Sequence, residues 1–136
     1  MYLEELVSPM RKQLTDQGFS ELKTVEDVEN MIKNSGTTLV VVNSVCGCAA
    51  ANARPGAITS LLNDKKPTHL TTVFAGVDRE AVEKVRYFLA PFPPSSPAIA
   101  LFKDGELIHM LERHHIEGRA AEMISQNLVG AYNEHC

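Results

Sequence analysis

From Thr37 to Val45 the chain reads TTLVVVNSV, a β-branched apolar run with little alternation between polar and apolar positions. Such a run fits a strand covered on both faces, as in the interior of a parallel sheet. It predicts a central strand, and it obliges the rest of the chain to supply an apolar cover for each side. It also runs straight into Cys46-Gly47-Cys48.

The remaining segments offer such covers. Tyr2 to Gln17 places Leu3, Leu6, Val7, Met10 and Leu14 at helical spacing, with Gly18 as a stop. Thr24 and Asp27 form a capping-box pattern ahead of Val25, Val28, Met31 and Ile32, and Asn34-Ser35-Gly36 ends that helix. The Ala-rich stretch from Ala49 to Leu61-Leu62 has helical composition, with a kink expected at Pro55.

His69 to Ala75 reads as a strand, and Asp78 is placed to cap a helix reaching about Leu89, whose Val82, Val85, Phe88 and Leu89 form a stripe. A proline-rich loop, Ala90 to Pro97, leads into a strand over Ala98 to Phe102. Asp104-Gly105 then turns a hairpin into Glu106 to Leu111. Ile116 to about Asn133 reads as one closing helix. The expected order is α-α-β-α-β-α-β-β-α, an α/β sandwich on a mixed sheet.

With 136 residues, 44% apolar and 22% charged, the chain has the composition of one globular domain over residues 1–136. Its formal net charge of -4, without a block of like charge, argues against nucleic acid or an anionic membrane as partner. Glu4 and Glu5 stand where a secretory signal carries positive charge, and no apolar run is long enough to span a bilayer. A cytoplasmic location is expected.

Three cysteines are an odd number, and a domain of this size needs no disulfide framework. Their placement is the chemical clue. A thiolate is favoured at a helix N-terminus, where backbone N–H groups lack partners, and Cys46 stands where strand gives way to helix. Gly47 permits a tight turn and close approach of another backbone, and Cys48 is near enough to attack a mixed disulfide formed at Cys46. The pair reads as nucleophile and resolver. Its small disulfide ring is expected to be strained, and so to make a poor general reductant.

Two other readings of the pair stand beside this one. The first is a pair of core cysteines in a non-catalytic adaptor. The second is a metal-binding module using Cys46 and Cys48 with Cys136 and His135, although the spacing resembles no paired zinc motif and no bound metal is expected. Cys136 is either an exposed terminal thiol or a second resolving group.

Arg54 is a candidate for holding an anionic thiol or favouring a thiolate, against the plainer reading of a solvated helical charge. Asn43 and Ser44 are read chiefly as helix caps. His114 and His115 are read as surface or capping residues rather than proton shuttles, His69 and His109 as satisfied sheet residues. Phe92 belongs either to a groove rim or to plain packing.

Several of these segments carry a resemblance. SVCGCA after an apolar strand, SSPA opening a later one, the N-terminal LVSPMR, the stretch VFAGVDREA, and the ending from RHHIEG to NEHC together resemble the bacilliredoxins over nearly the whole chain. The resemblance implies a thioredoxin-like three-layer α/β sandwich with a central mixed sheet and an extra N-terminal helix. It implies thiol-disulfide oxidoreductase activity that removes bacillithiol from S-bacillithiolated client proteins, with weak disulfide isomerase activity as the alternative.

By the same resemblance Cys46 is the attacking and Cys48 the resolving cysteine. Bacillithiol is a small-thiol co-substrate with no bound cofactor, and bacillithiol or a bacillithiol disulfide reductase regenerates the dithiol. Ser96-Pro97 matches the proline, expected to be cis, that faces the active site of thioredoxin folds. With Gly47 and Arg54, chosen above from their own chemistry, Ser96 and Pro97 are the candidate substrate contacts. The chain departs from ordinary thioredoxins in having one spacer residue between the cysteines and no tryptophan, and Pro55 falls later in its helix than the usual kinking proline.

Overall fold

The computed structural model describes residues 4–45 and 47–136. The expected central strand is β2 (Thr37–Asn43), and all seven of its residues are buried. It pairs in parallel with β3 (His69–Phe74) and antiparallel with β4 (Ala98–Lys103). β4 turns through Asp104-Gly105 into β5 (Glu106–Leu111), and β1 (Ser20–Glu21) lies outside β3, giving the strand order β1-β3-β2-β4-β5. The sheet is mixed, as expected.

Burial of β2 on both sides follows from its alternating contacts. Leu39 and Val41 face a core filled from α1 (Glu4–Thr15), α3 (Gly47–Ser60) and α6 (Ala121–His135), including Leu14, Ala53, Ala57, Ile124 and Leu128. Val40 and Val42 face a second core supplied by α2 (Val25–Ile32) and α4 (Arg79–Leu89), including Val28, Met31, Val82 and Val85. Helices therefore cover both faces of the sheet, and the unalternating sequence of β2 is the cause. The hydroxyls of Thr71 and Thr72, buried on β3, each donate at 2.8 Å to the carbonyls of Leu39 and Val41 on β2.

Four local readings are corrected. β1 was not expected, because a two-residue strand is too short to show a period, and it is held by Ser20 and Glu21 pairing with Thr71 and Thr72. The closing helix is two, α5 (Arg113–Ile116) and α6, because Gly118 between them takes a left-handed φ of +74°. Ile116 mimics helical continuity because it joins the same core as Ile124. α3 already begins at Gly47 and runs through Pro55 to Ser60, where the sequence suggested a start at Ala49.

The fourth concerns Asp78, which occupies the N-cap position of α4 without making a side-chain cap bond. Its carboxylate instead accepts from the guanidinium of the buried Arg11 at 2.9 Å, and Arg11 also donates to Glu21 at 2.8 Å. One cation thus ties α1 to the edge strand and to the start of α4. Burial alone would lower the pKa of Arg11, but the bonds to Asp78 and Glu21 outweigh it and hold the group firmly protonated. By contrast, Thr24 and Asp27 form the expected capping box on α2.

Candidate active site

The chain leaves the sheet at Asn43 and enters α3 at Gly47, so the cysteine motif lies at the C-terminal end of the central strand. Cys46 itself lies outside the described residues. Gly47 has a φ of +49°, in the left-handed region, and its N–H donates to the Val45 carbonyl at 2.8 Å. A side chain added at Gly47 would meet nothing within 4 Å. Glycine is therefore required here by the backbone turn, and the space above it stays open to an approaching molecule.

Cys48 follows on the first turn of α3 as an exposed free thiol. The next residues, Ala49, Ala50 and Ala53, are buried. Small side chains on that face let the helix lie close to the sheet, while Cys48 projects to solvent.

Arg54 is not the solvated charge its helical context suggested. It is 7% exposed, and its Nη1 donates to Asn43 Oδ1 at 3.0 Å and to the Ser44 carbonyl at 2.9 Å, while Nε donates to Gln13 Oε1 at 2.9 Å. These acceptors are neutral, and no carboxylate pairs with Arg54 among the described residues. Burial pushes its pKa below the ordinary guanidinium value. Its visible work is to clamp the strand end that leads into the motif.

Asn43 is likewise no helix cap. Its Oδ1 also accepts from the Ser44 N–H at 2.9 Å, and its Nδ2 donates to the Met10 carbonyl at 3.1 Å, fastening α1 to the same junction.

The Ser96–Pro97 peptide bond is cis, as is Ala90–Pro91 in the same loop. Val42 pairs with Ala98, so the segment leaving β2 toward the motif runs beside the one entering β4 from Pro97. Ser96 and Pro97 therefore lie at the motif end of the sheet. Phe92, 40% exposed, lines a shallow concavity of about 250 Å³ with Leu107, Ile108, His109 and Met110, which places it against β5.

Arg113 was not singled out from sequence. Its backbone N–H donates to Ser95 Oγ at 3.2 Å and its Nη1 to the Ser96 carbonyl at 3.1 Å, so it holds both residues that precede Pro97. No local pattern marks it, because the contact spans seventeen residues and depends on the β4–β5 hairpin folding back.

Other candidates are kept apart from the motif. The Cys136 thiol donates to Thr37 Oγ1 at 3.5 Å, and the His135 carbonyl accepts from Lys103 Nζ at 3.2 Å. Both contacts lie at the opposite end of β2 from Asn43, about 20 Å away at 3.3 Å of rise per residue. Cys136 and His135, offered as further ligands beside Cys46 and Cys48, therefore stand too far from Cys48 to share a metal with it, and Cys136 is too far from the start of α3 to resolve a disulfide there within the same molecule.

Glu112, His114 and His115 do cluster, with ligand-type atoms within 4.8 Å of one another. Their polar atoms are used locally: His115 Nδ1 accepts from the Glu112 N–H at 3.0 Å, and His114 Nε2 lies 3.1 Å from Glu112 Oε2. The sheet histidines are satisfied, His69 on the Ser35 carbonyl at 3.1 Å and His109 on Asn127 Oδ1 at 2.7 Å.

Among the described residues no helix is long and apolar enough to cross a membrane. Residues 2–136 match the family model described as disulphide isomerase. The chain is 59% identical to a bacilliredoxin of Cytophaga hutchinsonii, over 98% of this chain and 99% of that one. It is 57% identical to a bacilliredoxin of Halalkalibacterium halodurans, over 99% and 94%.

The fold is similar to Fasciola hepatica thioredoxin, with a TM-score of 0.61 at 17% identity, covering 87% of this chain and all of that one. It is similar also to mitochondrial thioredoxin 3 of Saccharomyces cerevisiae, with a TM-score of 0.60 at 14% identity over 90% and 98%. A thioredoxin-like sheet that delivers a Cys-Gly-Cys motif to a helix start, in a chain so similar throughout to these relatives, is accounted for in one way: the chain belongs to the bacilliredoxin family of thiol-disulfide oxidoreductases.

Proposed function

We propose that this protein removes bacillithiol from S-bacillithiolated client proteins in the cytoplasm, with Cys46 attacking and Cys48 resolving. The observation that carries the reading is the exposed free thiol of Cys48 on the first turn of α3, two residues after Cys46 and at the sheet end that also bears cis-Pro97. The names of the curated relatives support bacillithiol as the small thiol.

In the first exchange the Cys46 thiolate attacks the bacillithiol sulfur of the client's mixed disulfide. The Cys46–bacillithiol bond forms as the old disulfide breaks, and the client cysteine leaves as a thiolate that takes a proton from water. Cys48 then attacks Cys46 Sγ, forming the motif disulfide and releasing bacillithiol as a thiolate. Two equivalents of bacillithiol reduce the motif again and leave as bacillithiol disulfide, the substrate for a bacillithiol disulfide reductase. Each exchange breaks one S–S bond and makes one.

Gly47 leaves room for the incoming disulfide, and Ser96-Pro97 forms the facing wall. Arg54, being buried, acts through the strand end it clamps rather than by touching substrate. General disulfide isomerisation is the second reading, favoured by the description of the matching family model.

The test is intact mass of a Cys48→Ala variant mixed with a bacillithiol-capped client and, separately, with a glutathione-capped one. A bacillithiol-sized adduct, lost on Cys46→Ser, is expected. No adduct from either client overturns the reading, and rearrangement of a scrambled-disulfide substrate at an undiminished rate would move the assignment to isomerase.

A further inference from the structure

We infer that Arg113 is the anion-recognising residue of the thiol site, selecting substrates whose small thiol or flanking sequence carries a carboxylate. The inference rests on the reading of the motif as a disulfide-exchange site and adds to it a substrate class and the residue that chooses it.

Arg113 opens α5, directly after β5. Leu111 at the end of β5 pairs with Ile99 on β4, and Ala98 at the start of β4 pairs with Val42 on β2. The ends of these three strands therefore bring Arg113 to the edge of the sheet from which the motif emerges, and α5 packs against α3. The two bonds from Arg113 to Ser95 and Ser96 fix it beside Pro97, on the wall that faces the motif.

Its exposure sets it apart from the other arginines described above. Arg11 and Arg54 are buried and tie secondary elements together, whereas the side chain of Arg113 is 38% exposed. A guanidinium keeps its charge at any working pH and presents a planar fork that matches a carboxylate. A carboxylate already sits on it, Glu117 four residues on, itself 52% exposed. A surface pair of this kind contributes little stability, so a substrate carboxylate competes with it readily. In a chain with a net charge of -4, a fixed cation at the site also offsets the general repulsion of anionic substrates.

The test compares alkylation of the reduced protein by iodoacetate and by neutral iodoacetamide, resolved by cysteine through peptide mass. In both reactions a thiolate displaces iodide: an S–C bond forms as the C–I bond breaks, and the thiol proton goes to buffer. Because both reagents need the same thiolate, their rate ratio reports the local field independently of thiol acidity.

Arg113→Gln is expected to lower the iodoacetate-to-iodoacetamide ratio at the motif by about fivefold, the order of one unit charge near a half-exposed site. Arg113→Lys should retain most of the ratio, and Glu117→Gln should raise it. Cys136, at the far end of the sheet, should keep its ratio in every variant. A ratio at the motif unmoved by both Arg113→Gln and Glu117→Gln overturns the inference, as does an equal fall with both reagents, which would leave Arg113 a purely structural latch.

A second arm measures release of glutathione, which carries carboxylates, and of uncharged mercaptoethanol from capped clients. Because Arg113 also holds Ser96, Arg113→Gln is expected to slow release of both thiols but to raise KM for the first by more than for the second; an equal change for both overturns the inference. Failure to release either thiol would remove these two as substrates without touching bacillithiol exchange, and the alkylation ratio would still decide the role of Arg113.

Discussion

Nη1 of Arg54 donates at once to the Asn43 side chain and to the Ser44 carbonyl, at 3.0 and 2.9 Å, so the helix that carries Cys48 grips the strand end that leads into the motif. Strand, turn and helix are thereby held as one unit. The arrangement explains how a guanidinium can be buried without a carboxylate: its N–H groups are spent on neutral acceptors at the break between β2 and α3.

Replacing Arg54 by Leu removes its bonds to Asn43, Ser44 and Gln13. A loss of about 2 to 4 kcal/mol is expected, read from the urea midpoint, since a hydrogen bond from a charged group contributes about 1.5 to 3 kcal/mol. Arg54→Lys should recover little of it, because an ammonium lacks the planar fork that reaches Asn43, Ser44 and Gln13 together. Full stability in the Lys variant would contradict the clamp.

Gly47→Ala tests whether the turn or the open space matters more. Nothing crowds the added methyl, so the cost is that of a left-handed φ in a residue with a Cβ, about 1 to 2 kcal/mol. Disulfide exchange should fall further than stability, because a shifted φ re-aims Cys48. An Ala variant as active as the parent would show that the turn is not required.

Gly56 sets ordinary helix propensity against close packing. In an open helix Gly→Ala gains up to about 1 kcal/mol. Here a Cβ would lie 2.8 Å from Ile124 Cγ2 and 3.1 Å from the Ala121 carbonyl, where α3 meets α6. Gly56→Ala should therefore destabilise by about 1 to 3 kcal/mol. A rise in thermal midpoint would mean that the two helices separate without penalty.

The capping box makes one contribution pH-dependent. The Lys23 N–H, and after it that of Thr24, hold the Asp27 carboxyl below its ordinary value. In the unfolded chain Asp27 returns to about 3.9. The contribution is therefore complete above that pH and is lost as pH falls through the lower folded value. Parent and Asp27→Asn should differ in urea midpoint at pH 7, and the gap should narrow at about pH 3. A gap that stays constant would remove Asp27 as the titrating group.

How much of this protein is legible in its sequence depends on the range of the interactions involved. The central strand, the capping box at Thr24 and Asp27, the Asp104-Gly105 hairpin and the Cys-Gly-Cys motif at a strand-to-helix junction are all written in contiguous residues. The unalternating apolar run of β2 and the composition of the helices were enough for a mixed sheet with helical covers.

The misread parts depend on distant partners. β1 exists because Thr71 and Thr72 accept it as a neighbour, and Asp78, though at the N-cap of α4, spends its carboxylate on Arg11, sixty-seven residues away, instead of on a cap bond. Ile116 and Ile124 share a core although Gly118 interrupts the helix between them.

The sequence by itself determined the motif, two cysteines one residue apart after a β-branched apolar run, because both the run and the spacing are written in contiguous residues. Only the tertiary structure decided what surrounds them. It buried Arg54 as a clamp, carried Arg113 to the cis-Pro97 wall, and sent Cys136 to the far end of the sheet. Those placements follow from strand order and register, which arise from long-range packing and leave no local signature.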